Sequence, residues 1–324
     1  METFRARTYR VNKVKSVLNR TAQGLLRVVP DKVARHLLFL AQNQTDTLDR
    51  WGYHIRPIHF YEPLPDFRSI SEEQINRQRE YAAINFHFAE QIKLLMELAA
   101  YRNELQALNP NSSQNGFDFR NGYFAGFDAA VYYSIIRRLK PRRIIEIGGG
   151  YSTRIAHLAL SRNRIHDERS ELICIEPNPE PRLLDAKLDI ELIEKPVQEI
   201  GTKLFSELEA NDILFIDSSH SVKFNSDVCY ELLDILPKLK PGVWVHIHDI
   251  FFPYDYPAEW LMRKRMALNE QYLLEAFLSF NSQFIVRLSN HWIALEHREL
   301  ATNIWPMVDG EIHGASSFWM ERTR

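Results

Sequence analysis

The sequence predicts an α/β fold with a seven-stranded sheet, parallel except for an antiparallel hairpin at its C-terminal end, preceded by a helical cap. Three observations predict it. Five short apolar runs close on polar or acidic residues between positions 144 and 249. Helical patterns separate most of these runs. The first run leads into three consecutive glycines, Gly148-Gly149-Gly150.

The first run is Ile144-Ile145-Glu146-Ile147, whose β-branched residues suit a strand buried on both faces. The glycines then allow a tight turn and close backbone approach to a ligand. Ser152 and Thr153 can cap a helix that Ile155, Leu158 and Ala159 continue. Strand, glycine loop and helix N-terminus together make a site for a nucleotide-like ligand. A dinucleotide fingerprint would carry a third glycine where Thr153 stands. An acid at Glu146 would repel a pyrophosphate and suits an ammonium group.

The downstream runs follow in order. Leu172-Ile173-Cys174-Ile175-Glu176 ends in an acid able to accept both hydroxyls of a ribose, the alternative being a solvated strand end. Residues 188–194 form a third run, followed by Val197 and Gln198. Ile213-Leu214-Phe215-Ile216-Asp217 is the fourth and Val243-Trp244-Val245-His246-Ile247-His248-Asp249 the fifth. Ligands of open α/β sheets bind beyond the carboxyl ends of the strands, where Glu146, Glu176, Asp217 and Asp249 fall.

On either side lie less regular segments. Residues 1–130 read as a helical and loop cap and 131–324 as the α/β core. Within the cap, residues 53–66 are dense in aromatic, histidine and proline residues, as in a rigid loop at a functional surface. Residues 71–108 are patterned as helix, and 129–139 as the helix feeding the first strand, stopped by Pro141. After the fifth run comes a proline–aromatic loop at 253–260, then a helix expected over 259–280. Residues 284–288 and 292–295 read as the closing hairpin, turned at Ser289-Asn290-His291.

Composition narrows the class. With 324 residues, 45% hydrophobic, 25% charged and a net charge of −2, the chain reads as a cytoplasmic globular protein without bulk nucleic-acid binding. Cys174 and Cys229 read as buried thiols. No apolar run approaches the roughly 18 residues of a membrane helix, so stable insertion is not expected. The first 40 residues are basic (Arg5 to Arg35) with a helical apolar stripe including Val11, Val14, Leu18 and Leu25. A helix packed on its own domain or on another subunit is expected there. That stripe is also what would favour a homo-oligomer, and an anionic surface is the other use of it.

The pattern Glu146-x-Gly148-x-Gly150 resembles motif I of the class I S-adenosylmethionine-dependent methyltransferases, which have a Rossmann-like fold. In that family the acid and glycines hold the amino-acid end of the cofactor. The segments Asp217-Ser218-Ser219-His220 and His248-Asp249 resemble a branch, similar to methyltransferase family 24, that includes macrolide-sugar O-methyltransferases and cephalosporin-tailoring enzymes. The resemblance spans about residues 120–300. It implies methyl transfer to a small-molecule acceptor, an oxygen of a sugar or secondary metabolite, with S-adenosylmethionine as cofactor. It assigns cofactor binding to Glu146, Gly148, Gly150, Ser152, Glu176, Gln198 and Asp217. His220 is the candidate general base and His248 the alternate. Asp217 and Asp249 could together hold a divalent cation, magnesium in some members of the branch. His59, Tyr61 and Asp255 are expected to line the acceptor pocket. The competing reading is a metal-dependent hydrolase-like or other tailoring enzyme that uses the Asp/His cluster without methyl transfer. A nicotinamide oxidoreductase is disfavoured by Glu146 and the missing third glycine.

Overall fold

Each of the five apolar runs forms a strand: β1 (Arg143–Ile147), β2 (Glu171–Ile175), β3 (Glu191–Ile193), β4 (Ile213–Ile216) and β5 (Trp244–Ile247). Two more, β6 (Phe284–Ser289) and β7 (Phe318–Arg322), complete a seven-stranded sheet in the order β3-β2-β1-β4-β5-β7-β6. β1 to β5 are parallel, and β7 runs antiparallel to both β5 and β6. The chain order reverses beside β1, which has β2 on one side and β4 on the other. That switch point opens a crevice at the carboxyl edge of the sheet.

The computed structural model describes residues 29–75, 77, 79–108, 117–164, 170–181, 183–184 and 188–324. They fall into two units, residues 29–68 and 69–324. In the first, α1 (Asp31–Gln42) and α2 (Thr45–Arg50) precede an extended loop. On α1, Val33, Leu37, Leu38, Phe39 and Leu40 are all exposed. The stretch from Arg5 to Arg27, with its expected helical stripe, lies outside the described residues. In the loop, His59, Phe60 and Tyr61 pile their rings on one another, with centroids 4.3 and 4.2 Å apart in succession.

The second unit contains the sheet and its helices. Those that precede β1 are α3 (Glu72–Ile75), α4 (Phe88–Leu98), α5 (Arg102–Leu108) and α6 (Gly126–Leu139). The crossovers carry α7 (Tyr151–Arg164), α8 (Lys203–Ser206) and α9 (Asp227–Tyr230), the last continuing into a π turn at Glu231–Ile235. α10 (Glu270–Leu278) precedes β6, and α11 (Asn290–Glu296) and α12 (Arg298–Ile304) separate β6 from β7. Alternation along β1 divides the core. Ile144 packs with α6, α7 and Trp305 on one face, while Ile145 and Ile147 pack with Phe205, Leu232 and Leu274 on the other.

Three sequence expectations need correction. The closing hairpin is not formed by 284–288 and 292–295: residues 290–296 are helical, and the partner of β6 is β7, beyond two helices. Ser289 is the cause, because its hydroxyl accepts from the Trp292 amide and starts a helix where a turn was expected. The helix over 259–280 is interrupted. A π turn at Glu259–Arg263 and α10 flank a stretch in which Arg265 takes a left-handed φ of 53°. The helical pattern of 71–108 also breaks. At 79–87 the Asn85 side chain accepts from the His87 amide, and Tyr81 and Phe86 pack edge-on against Phe252.

Candidate active site

The glycine loop is shaped by what lies beneath it. Gly148 has φ +82°, and a Cβ there would meet the Asp217 carbonyl oxygen at 1.9 Å. A Cβ at Gly149 would meet Cys174 Sγ at 2.3 Å. These two glycines let the loop lie directly on the ends of β4 and β2. Gly150 differs, since a Cβ there would meet nothing within 4 Å. The Gly150 amide donates to Thr153 Oγ1 at 3.1 Å, so the hydroxyl expected to cap the helix braces the loop. The Gly149 amide lies 3.4 Å from Glu176 Oε2, and Asn178 donates to Glu176 Oε1 at 2.8 Å. Glu176 is thereby held at the end of β2 beside the loop. The Gln198 amide donates to the Asn225 carbonyl at 3.0 Å, tying the segment after β3 to that after β4.

Glu146 lies beneath this loop and is fully buried. The Tyr132 hydroxyl donates to its Oε1 at 3.1 Å, and its Oε2 has no partner. Burial pushes its carboxyl from the ordinary 4.5 up to about 8, although the hydroxyls of Thr153, Tyr132 and Ser152 pull the other way. A buried carboxylate with an orphaned oxygen fits a cationic partner. Glu146 therefore favours the fold most when protonated. That contribution is complete below pH 4.5 and is lost as pH rises toward about 8. Glu146→Gln should match the parent's melting temperature near pH 4.5, exceed it at pH 8, and bind S-adenosylhomocysteine more weakly. Thermal melts across this range and a titration would read both effects.

Beyond β4 and β5, four groups close a ring. Asp217 Oδ1 lies 3.3 Å from His220 Nε2 and 3.5 Å from His248 Nδ1. Asp249 reaches the same two nitrogens at 3.5 Å each. His220 and Asp249 hold left-handed φ values of 55° and 57°, conformations unfavourable for residues with a Cβ. Burial alone would lower the His248 pKa, but Asp217, Asp249 and Asp128 more than offset it and raise it well above the ordinary value. His220 is likewise raised, burial being outweighed by Asp217 and Glu270. Burial would raise Asp217, yet the two imidazoles hold its carboxyl far below the usual range.

Asp128, on α6, supports the ring from below and carries no sequence signature. It accepts from Asn290 at 2.7 Å and from the Ser316 and Ser317 amides at 2.9 and 3.1 Å, and lies 3.5 Å from His248 Nε2. Ser316 Oγ also donates to Asp249 at 2.9 Å. His246, two residues before His248 on the same face, is no part of the ring. It stacks on Phe215 at 3.9 Å and bonds Ser317 Oγ at 2.8 Å.

Small-ligand pockets commonly run from about 300 to 1,000 Å³, and the cavity over this ring measures about 390 Å³. Asp217, His248 and Asp249 form its floor, and Tyr123, Trp260 and Glu311 stand among its walls. His220 does not line it, and among the described residues no lysine or arginine does. Asp255 lies elsewhere, accepting from the Tyr272 hydroxyl at 2.7 Å and lining a separate cavity of about 460 Å³ with Arg79 and His291. His59 and Tyr61 belong to the first unit and are exposed there. Among the described residues, no group of three His, Cys, Asp or Glu side chains is arranged to hold a metal ion. Both cysteines are free thiols.

A family model described as a methyltransferase domain matches residues 145–250. An uncharacterized protein of Archaeoglobus fulgidus is 32% identical over 169 residues, covering 48% of this chain and 75% of the relative. The chain belongs to the class I S-adenosylmethionine-dependent methyltransferase superfamily. More distant likenesses include the Podospora anserina methyltransferase PaMTH1 with S-adenosylhomocysteine bound, at 16% identity and a TM-score of 0.37 over 60% of this chain and 78% of that one. The plantazolicin methyltransferase BpumL is 13% identical with a TM-score of 0.39, over 73% and 99% of the two chains. In this methyltransferase Glu146, the glycine loop and Glu176 are neighbours at the carboxyl ends of β1 and β2. Sequence reasoning misses Asp128, Glu270, Ser316 and Tyr123 at the ring and cavity, none of which sits in a local motif, whereas Trp260 closes the proline–aromatic loop at 253–260.

Proposed function

We propose that this methyltransferase transfers the methyl group of S-adenosylmethionine to a hydroxyl of a small acceptor, a sugar or secondary metabolite. The observation that carries the reading is the cavity of about 390 Å³ with Asp217, His248 and Asp249 on its floor and the aromatic rings of Tyr123 and Trp260 among its walls. Rings of that kind suit the flat apolar face of a sugar, and the carboxylates suit its hydroxyls. The bound cofactor supplies an electrophilic methyl on a sulfonium. Glu146 would meet its ammonium, the open side of Gly150 its amino-acid end, Glu176 its ribose hydroxyls and Gln198, beside Val197, its adenine.

His248 takes the acceptor's proton at Nδ1, the ring nitrogen on the side of Asp217 and Asp249. Its place on the cavity floor favours it over His220, which does not line the cavity. Asp128 fixes the ring at Nε2. Aligning the acceptor oxygen with the methyl is the larger part of the work, because an in-line displacement depends on near-attack geometry.

The residues as placed do not fit a magnesium ion. The near oxygens of Asp217 and Asp249 already face imidazole nitrogens, and magnesium demands octahedral oxygen ligands. No step of the mechanism uses a metal. The test is calorimetric titration with S-adenosylhomocysteine, with and without magnesium, followed by transfer of labelled methyl to a panel of sugars. Micromolar binding independent of magnesium is expected, and Glu176→Ala should weaken it by about 1–3 kcal/mol. Absence of binding in both conditions would overturn the reading.

A further inference from the structure

The N-terminus of α10 holds both loops of the site through three consecutive residues. Asn269 grips the loop after β4: its amide donates to the His220 carbonyl at 3.3 Å, its Oδ1 accepts from the Val222 amide at 2.6 Å, and its Nδ2 donates to the Val222 carbonyl at 3.4 Å. Gln271 grips the loop after β5, with Oε1 accepting from the Phe251 amide at 2.6 Å and Nε2 donating to the Tyr254 carbonyl at 2.9 Å. Between them stands Glu270, fully buried. Its Oε2 lies 2.8 Å from His220 Nδ1, and its Oε1 has no partner.

We propose that Glu270 is a positioning residue, which fixes the His220 ring so that Nε2 bridges Asp217 and Asp249 on the floor of the acceptor cavity. A carboxylate only accepts, so His220 Nδ1 donates to it, and the ring plane is set by that bond. Held this way, Nε2 reaches Asp217 at 3.3 Å and Asp249 at 3.5 Å. The two acids then keep a fixed spacing beneath the acceptor. A ring turned about its Cβ–Cγ bond would lose this bridge. Glu231, also fully buried, extends the support by accepting from Ser218 at 3.0 Å, in the same loop as His220. As a role in the reaction this rests on the proposed function, but the His220–Glu270 bond can be tested without any acceptor.

The experiment is NMR of the full chain labelled with ¹⁵N-histidine, alongside the S-adenosylhomocysteine titration. The wild type should show one imidazole N–H, absent in His220→Gln, that lies far downfield and exchanges slowly with water, as befits a buried charge-assisted bond. In Glu270→Gln, an isosteric change chosen to preserve folding, that resonance should move upfield and exchange faster, while S-adenosylhomocysteine affinity stays within about twofold. Glu270→Asp should restore part of the downfield shift. An unchanged resonance in Glu270→Gln, or no such signal in the wild type, overturns the proposal. Loss of S-adenosylhomocysteine binding in the wild type would instead sink the functional reading and leave the bond itself intact.

Discussion

Replacing His248 with alanine is expected to lower methyl transfer by roughly 10²–10⁴-fold while leaving S-adenosylhomocysteine affinity within a few-fold. The imidazole lies among three carboxylates and on the floor of the cavity, so its loss removes the base and leaves Asp217 and Asp249 with one cationic neighbour fewer. His220→Ala should cost turnover less, because His220 does not line the cavity. A result in the reverse order would return the base to His220. The raised pKa of His248 has a second consequence. A base must be neutral to accept a proton, so the rate should climb with pH through a range above the ordinary imidazole value. Stability runs the other way. A histidine raised in the fold adds stability that is complete below its unfolded pKa and lost as pH rises through the folded one. His248→Ala should therefore destabilise the protein more at pH 6 than at pH 9, a difference that paired thermal melts would detect.

Gly148→Ala is expected to abolish measurable cofactor binding. A Cβ at that position would stand 1.9 Å from the Asp217 carbonyl oxygen, a backbone atom that cannot swing aside, and the φ of +82° is unfavourable for alanine in its own right. The loop would have to lift from β4 and carry Gly149 and Gly150 with it. Gly150→Ala makes the informative contrast. Its Cβ would meet no protein atom within 4 Å, so folding should be nearly unaffected, and any loss of affinity would report contact with the ligand itself. If Gly148→Ala binds S-adenosylhomocysteine as the parent does, the loop is not the cofactor seat.

The sequence made parts of this architecture legible and hid others for physical reasons. The central parallel strands are buried on both faces, so they stand out as uninterrupted apolar runs. Phe318-Trp319-Met320-Glu321-Arg322 ends in two charges and follows a stretch rich in short helices, so its pattern does not mark a strand. Residues 292–295 read ambiguously because a single turn of helix and a short strand look alike over four apolar-rich residues. The Ser289 hydroxyl, accepting from the Trp292 amide, caps the helix that forms there. The acids at strand ends could be found because the fold places them by rule. Asp128 and Glu270 could not. Each lies on a helix far along the chain from the histidine it supports, and such pairings arise only from tertiary packing.

The placement of β7 ties the chemistry to the order in which the chain is made. Ser316 and Ser317, immediately before that strand, supply the amides that Asp128 accepts, and Ser316 also bonds Asp249. A nascent chain that has already emerged through β5 carries both histidines and both strand-end aspartates but lacks the brace that sets their spacing. Until residues 316–322 follow, β5 has an unpaired edge, and β6 has nothing to join it to the sheet. Synthesis thus delivers the glycine loop and the strand-end acids first and the brace that spaces them last.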